Sequence, residues 1–171
     1  VQRTPIRQLR EQRLEVRIDD PIKSGHDGAV LLIDQVVRSV GPVIAMVTDD
    51  GMLRVRAVRH RTNILTGRVT ASITGGTIPI PGFARASVLG AVMISGNAAA
   101  VYVLWENGEF IRFDTRDFRQ PGVVEQGDLL AESFARVTVA RFLLGRETLL
   151  IGDSEGRVRT WFRVRQEGAT T

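Results

Sequence analysis

Cysteine is missing from this 171-residue chain. That excludes a disulfide framework, a thiolate zinc site and a cysteine nucleophile. Histidine occurs only as His26 and His60, too few for a multi-histidine metal site within one chain. Lysine is nearly absent as well: of 23 basic residues, 22 are arginine and only Lys23 is lysine. Helical periodicity is scarce. Residues 4–15 alone offer it, with Thr4 as a cap, Pro5 at the first helical position, and Ile6, Leu9 and Arg10 following. A membrane-length apolar run is interrupted too. Residues 86–105 carry no charge, but Ser95-Gly96-Asn97 divides them into two strand-length pieces, which predicts a pair of buried strands around a turn. Residues 1–20 are charged throughout and do not form a signal peptide. The chain opens on Val1, which points to a segment of a longer polypeptide.

What is present is 43% apolar residue, 17 glycines and a succession of short apolar runs separated by turn signals. This length suits one domain with a packed core. Residues 43–48 and 52–58 flank Asp49-Asp50-Gly51, residues 101–105 and 109–115 flank Glu106-Asn107-Gly108, and residues 149–151 and 157–164 flank a turn ending at Gly156. Asp-Gly and Asn-Gly supply the positive φ of tight hairpins. Aligned on Gly51, Gly108 and Gly156, the hairpins match two places on at Leu53, Phe110 and Val158, and five places on at Arg56, Phe113 and Trp161. Self-similarity at this spacing is the mark of β-propeller blades, small sheets that bury their faces against one another. The reading is therefore all-β, with antiparallel propeller-like repeats forming about three blades over residues 31–73, 88–130 and 137–164. The third lacks a fourth strand, and residues 14–18 (Leu-Glu-Val-Arg-Ile, alternating) are a candidate to close it. Three blades is fewer than the usual four to eight, so the chain reads as part of a larger propeller or as one completed by a second copy of itself.

Gly156-Arg157-Val158-Arg159-Thr160-Trp161 resembles the end of a WD40 blade, and Gly108 through Phe113-Asp114 resembles a diverged copy. Phe162 stands where that family has Asp, and Gly25-His26 matches its Gly-His dipeptide only once. More narrowly, residues 143–165 (LLGRETLLIGDSEGRVRTWFRVR) and residues 103–117 resemble the extracytoplasmic propeller-like domain of bacterial phosphate-type ABC transporter permeases. The resemblance implies a non-catalytic domain on the periplasmic side of the inner membrane. Its parent chain would be membrane-embedded, and its partners would be other transporter subunits or a solute-binding protein. A WD40-like protein-interaction scaffold unrelated to transport is the alternative, and an anion-sensing module is a third reading.

Arg157, Arg159, Arg163 and Arg165 alternate along one strand face with Trp161, and Arg54 and Arg56 repeat the theme. Guanidinium groups bind anionic oxygens in pairs, so Arg157, Arg159, Trp161, Arg163 and Arg165 are the candidate partner or anion contacts. The plainer reading is a solvated face whose arginine stems cover Trp161. Net charge is only +4 and the 19 acidic residues are dispersed, which argues against nucleic acid. The glycine-rich stretch 74–82 (TGGTIPIPG) lacks the Gly-Lys-Ser/Thr ending of a P-loop and reads as an extended connection between blades. Asp49, Asp50, Asp153 and Glu155 sit at turns, where carboxylates serve local hydrogen bonding more often than calcium. Neither histidine has a spacing that argues for a catalytic triad. No enzyme activity, metal or cofactor is expected.

Overall fold

The computed structural model describes residues 25–84, 89–130, 134–143 and 148–162. The candidate helix 4–15 and the candidate closing strand 14–18 lie outside them. All regular structure among the described residues is β, in three antiparallel sheets. The first contains β1 (Val30–Arg38), β2 (Gly41–Thr48), β3 (Met52–Thr62) and β4 (Val69–Pro79), paired in that order. The second contains β5 (Leu89–Ile94), β6 (Ala100–Trp105), β7 (Glu109–Asp114) and β8 (Gly122–Asp128). The third contains β9 (Val137–Phe142), β10 (Leu149–Asp153) and β11 (Val158–Trp161), with no fourth strand among the described residues. Their first strands meet in succession, β1 against β5 and β5 against β9. This is a propeller-like stack of about three blades, as the repeat predicts.

Two cores hold the stack. Val43, Ala45, Val47, Leu53 and Val55 of the first sheet interdigitate with Ile94, Val101, Val103, Ile111 and Phe113 of the second. The other face of the second sheet presents Ala91, Met93 and Leu104 to Val137, Ala140, Leu149 and Ile151 of the third. The middle sheet is thus buried on both faces, which is why β5 and β6 read as one almost continuous apolar run instead of an alternating one. The Ser95–Ala98 turn between them closes with an Ala98 N–H to Ser95 O bond of 2.9 Å.

The turn joining the second and third strands is built alike in every sheet. Gly51, Gly108 and Gly156 have φ of +77°, +96° and +77°. Each donates its N–H to the carbonyl three residues back: Thr48 at 3.0 Å, Trp105 at 3.1 Å and Asp153 at 3.1 Å. In the first two sheets the glycine carbonyl then accepts the N–H that follows the outermost strand, Ile80 at 2.9 Å and Leu129 at 2.9 Å.

Some boundaries differ from the sequence reading. Residues 74–79 are not a connection between blades: β4 runs unbroken to Pro79, paired with Met52 of β3. Gly75 and Gly76 serve close approach. A Cβ on Gly75 would strike the Val55 carbonyl, and one on Gly76 would strike the Arg119 carbonyl of the second sheet's loop. β8 stops at Asp128, and Leu129 and Leu130 turn inward to the core. Gly41, at the start of β2, has φ +124°, and a Cβ there would collide with the Val58 carbonyl. Gly41→Ala is expected to cost about 2 kcal/mol or more. Gly122, with open space around it, should accept alanine at little cost. Urea denaturation of the two variants checks the contrast.

Candidate functional site

Three arrangements gather the chemically capable side chains. The first lies at the Asp49-Asp50-Gly51 turn. The His26 ring is drawn onto this turn, with Nε2 at 3.0 Å from Asp49 Oδ1 and Nδ1 at 3.1 Å from Arg54 Nη2. Arg54 can only donate, so Nδ1 accepts from it and Nε2–H donates to Asp49. Arg54 also donates to Asp50 Oδ2 at 2.5 Å and, through Nε, to Thr48 Oγ1 at 3.2 Å. The Thr48 hydroxyl in turn donates to Asp50 Oδ1 at 2.6 Å. That hydrogen bond, helped by the charge of Arg54, holds the Asp50 carboxyl below its ordinary value of 3.8 despite an opposing desolvation cost. His26, Asp49 and Asp50 bring potential ligand atoms within 4.8 Å of one another. The Arg54 guanidinium already supplies the cation between His26 and Asp50, so the residues fit a turn lock better than a divalent metal site. The spacings of 23 and 28 residues from His26 to Asp49 and Arg54 hid this cluster in the sequence. Gly25-His26, Asp49-Asp50 and Arg54 each stand out in the sequence, but nothing there joins them.

The second arrangement concerns the predicted arginine face. Arg159 pairs with Ile151 and Trp161 with Leu149 across the β10–β11 ladder. Cross-strand partners share a face, and Leu149 and Ile151 point into the core. Arg159 and Trp161 therefore lie on the side of β11 turned toward the second sheet, where Trp161 stays partly open to solvent, while Val158 on the other side is 73% exposed. The Asp153 side chain is fully buried beneath the arginines. Its Oδ1 accepts the N–H groups of Glu155 and Arg157, both at 3.0 Å, and its Oδ2 accepts Arg157 Nε at 3.3 Å, with Arg159 Nε at 3.6 Å. Arg157 also pairs with Glu155. The anion that Arg157 and Arg159 engage is thus a side chain of their own turn. Arg163 and Arg165 lie outside the described residues. Arg54 and Arg56 are engaged too: Arg56 donates to Gly76 O at 2.6 Å and Thr77 Oγ1 at 3.2 Å, and burial together with Arg54 pushes it below the usual guanidinium value.

The third arrangement is a cleft of about 340 Å³ between the second and third sheets. The chain has ten aromatic residues (7 Phe, 2 Trp, 1 Tyr), and five of them line it: Tyr102, Phe110, Phe142, Trp161 and Phe162. Tyr102 packs edge-on against Phe142 at 5.5 Å and tilted against Phe110 at 6.4 Å. Trp161 and Phe162 are 42% and 68% exposed. Gly127 leaves room for the Phe110 ring, since a Cβ there would come within 2.9 Å of it. The charged lining residues are both acidic, Glu125 and Asp128, and Glu125 accepts from Arg112 at 3.2 Å. Trp161 stands out in the sequence but the cleft does not, because its other walls come from β6, β7, β8, β9 and β10.

Asp153→Ala removes four polar contacts from a buried carboxylate and is expected to destabilise the fold by about 2–3 kcal/mol, measured by chemical denaturation. Asp50 gives a pH signature. A carboxyl with a lowered folded-state value contributes stability above its unfolded value and loses it as pH falls through the folded one. Melting curves of the wild type and Asp50→Asn, taken between pH 2 and 6, should differ above pH ~4 and converge below it.

No protein-family model matches the chain, and no curated protein matches it. Among solved structures, it is similar to a chain of the mitotic checkpoint complex, with 15% identity and a TM-score of 0.44 over 93% of this chain and 44% of that one. It is also similar to the β-propeller domain of Cps50 (Swd1) from Myceliophteria thermophila, with 8% identity and a TM-score of 0.39 over 81% of this chain and 55% of that one. The chain spans about half the length of these solved chains.

Proposed function

We propose that the chain is a non-enzymatic protein-interaction module whose partner inserts side chains between the second and third blades. The aromatic cleft carries this reading. Half the chain's aromatic residues gather there, Trp161 and Phe162 remain open to solvent at its edge, and aromatic anchors dominate protein recognition energetics. The polar clusters supply no competing chemistry. The His26 and Asp153 networks are spent on turns, which also weakens the anion-sensing reading. Apolar residues exposed on the outward sides of the end sheets, Ile33 and Val37 at 63% and 74% and Val139 and Val158 at 52% and 73%, offer further contact area.

A permease domain on the periplasmic side remains the narrower proposal, with transporter subunits or a solute-binding protein as partners. It rests on the likeness of residues 143–165 and 103–117, and no described helix is long and apolar enough to cross a membrane. Membrane helices encoded on either side of this segment would support it, and their absence would remove it. The interaction reading is tested by affinity capture with wild type, Trp161→Ala and Phe162→Ser as baits. A genuine partner should fall at least tenfold with either variant. Recovery unchanged by both substitutions would count against the cleft as the contact site.

A further inference from the structure

The β3–β4 hairpin is longer than its blade requires. β2 pairs with β3 as far as Ala57 and its Gly41 still packs on Val58, yet β3 and β4 continue as an exposed two-stranded arm from Arg59↔Ser72 to Thr62↔Val69. Four residue pairs at the strand rise extend it by roughly 13 Å. Isolated two-stranded arms are weakly stable, so an arm of this length serves something other than the core. Its tip is Ile64-Leu65, each 96% exposed. Asn63 orders that tip: its Oδ1 accepts the N–H groups of Leu65 at 2.9 Å and Thr66 at 3.1 Å. Gly67 completes the turn at φ +66°, with its N–H on Asn63 O at 2.8 Å. Two branched apolar side chains are therefore fixed outward at the end of a projection, away from any core.

Behind the tip stands a collar of exposed cations, Arg59, Arg61 and Arg68, none in an ion pair among the described residues. Arg61 and Arg68 line one open hollow with Thr62, Asn63 and Thr70. No Asp or Glu occurs anywhere from Met52 to Pro79, although the chain as a whole carries 19 acids. Arg54, Arg112, Arg116 and Arg157 are the contrast, since each holds a carboxylate. Among the described residues, three cations without a carboxylate partner thus flank a projection that ends in exposed apolar residues. An apolar tip above a basic collar matches the layering of an anionic bilayer, where apolar groups enter the acyl boundary and guanidinium groups meet lipid phosphates.

We propose that this hairpin is a membrane-docking finger: Ile64 and Leu65 enter the interface of an anionic phospholipid surface while Arg59, Arg61 and Arg68 bind its phosphates. The inference is independent of the partner cleft on the far side of the stack. Its test is flotation of the chain with vesicles of phosphatidylcholine alone and of phosphatidylcholine with one quarter phosphatidylglycerol, at low and high salt. Binding is expected to the anionic vesicles only and to be lost at 0.5 M salt, about where screening reaches a few ångströms. Ile64→Ser with Leu65→Ser should weaken it at least tenfold. Arg61→Gln with Arg68→Gln should weaken it by an order of magnitude or more, from about fivefold per surface arginine. Because these positions are outside the core, melting temperatures should match the wild type. A Leu65→Trp variant should blue-shift its emission on anionic vesicles. Failure of the wild type to float with anionic vesicles at low salt would overturn the proposal. So would full binding by the Ile64/Leu65 variant, or capture of the finger by a protein partner without lipid.

Discussion

β5 and β6 must satisfy two neighbours at once, because their side chains are buried on both faces of the middle sheet. Val92, Ile94, Val101 and Val103 pack toward the first blade, while Ala91, Met93 and Leu104 pack toward the third. Registers follow from this. A one-residue slip in either strand would exchange the two cores, whose volumes differ, so the pairing is specified from both sides. The flanking blades have one such obligation each, and they are where polar networks, exposed apolar side chains and long hairpins are found. Asp34 of β1 adds a directional tie across the first core, its carboxylate accepting Ile94 N–H at 2.8 Å.

The polar clusters share a logic with the turns they occupy. At the first turn, Thr48, Asp50, Arg54 and His26 join the end of β2, the start of β3 and the chain entering β1. At the third, Asp153 joins the end of β10 to the start of β11. Both put a carboxylate where the turn presents N–H groups or a guanidinium, and both absorb arginines that look available for ligands when read along the chain. Among the described residues, Arg54, Arg56, Arg112, Arg116, Arg157 and Arg159 are internal wiring, while Arg59, Arg61 and Arg68 stand exposed on the β3–β4 arm.

Much of the architecture was legible because glycine turns and strand-length apolar runs are local signals. Gly51, Gly108 and Gly156 fixed the repeat, and their shared φ and hydrogen bonds bear it out. The split of the uncharged run at Ser95-Gly96-Asn97 likewise reflects a real hairpin. β4 was cut short because Gly75-Gly76 and Pro79 look like breakers. They are compatible with a strand here since Val55 and the Arg119 loop approach too closely for any side chain. Alternation along β11 separates two sides without saying which is turned inward, and the pairing with Leu149 and Ile151 decides it. The cleft and the His26 cluster join residues far apart in the chain, and no local pattern announces such sites.

The latch between each turn glycine and the residue after the outermost strand makes blade length one-ended. In the first two sheets the third and fourth strands are tied at the glycine, through Ile80 on Gly51 and Leu129 on Gly108. Their opposite ends are free to lengthen. β3 and β4 have 11 residues each, while β7 and β8 have 6 and 7, yet both hairpins fill the same kind of slot in the stack. An insertion near Gly51 would turn Leu53 and Val55 out of the core, whereas one near Asn63 leaves every core contact in place. Evolution of this fold is thereby channelled: new reach can be added at the hairpin tips without renegotiating the packing between blades.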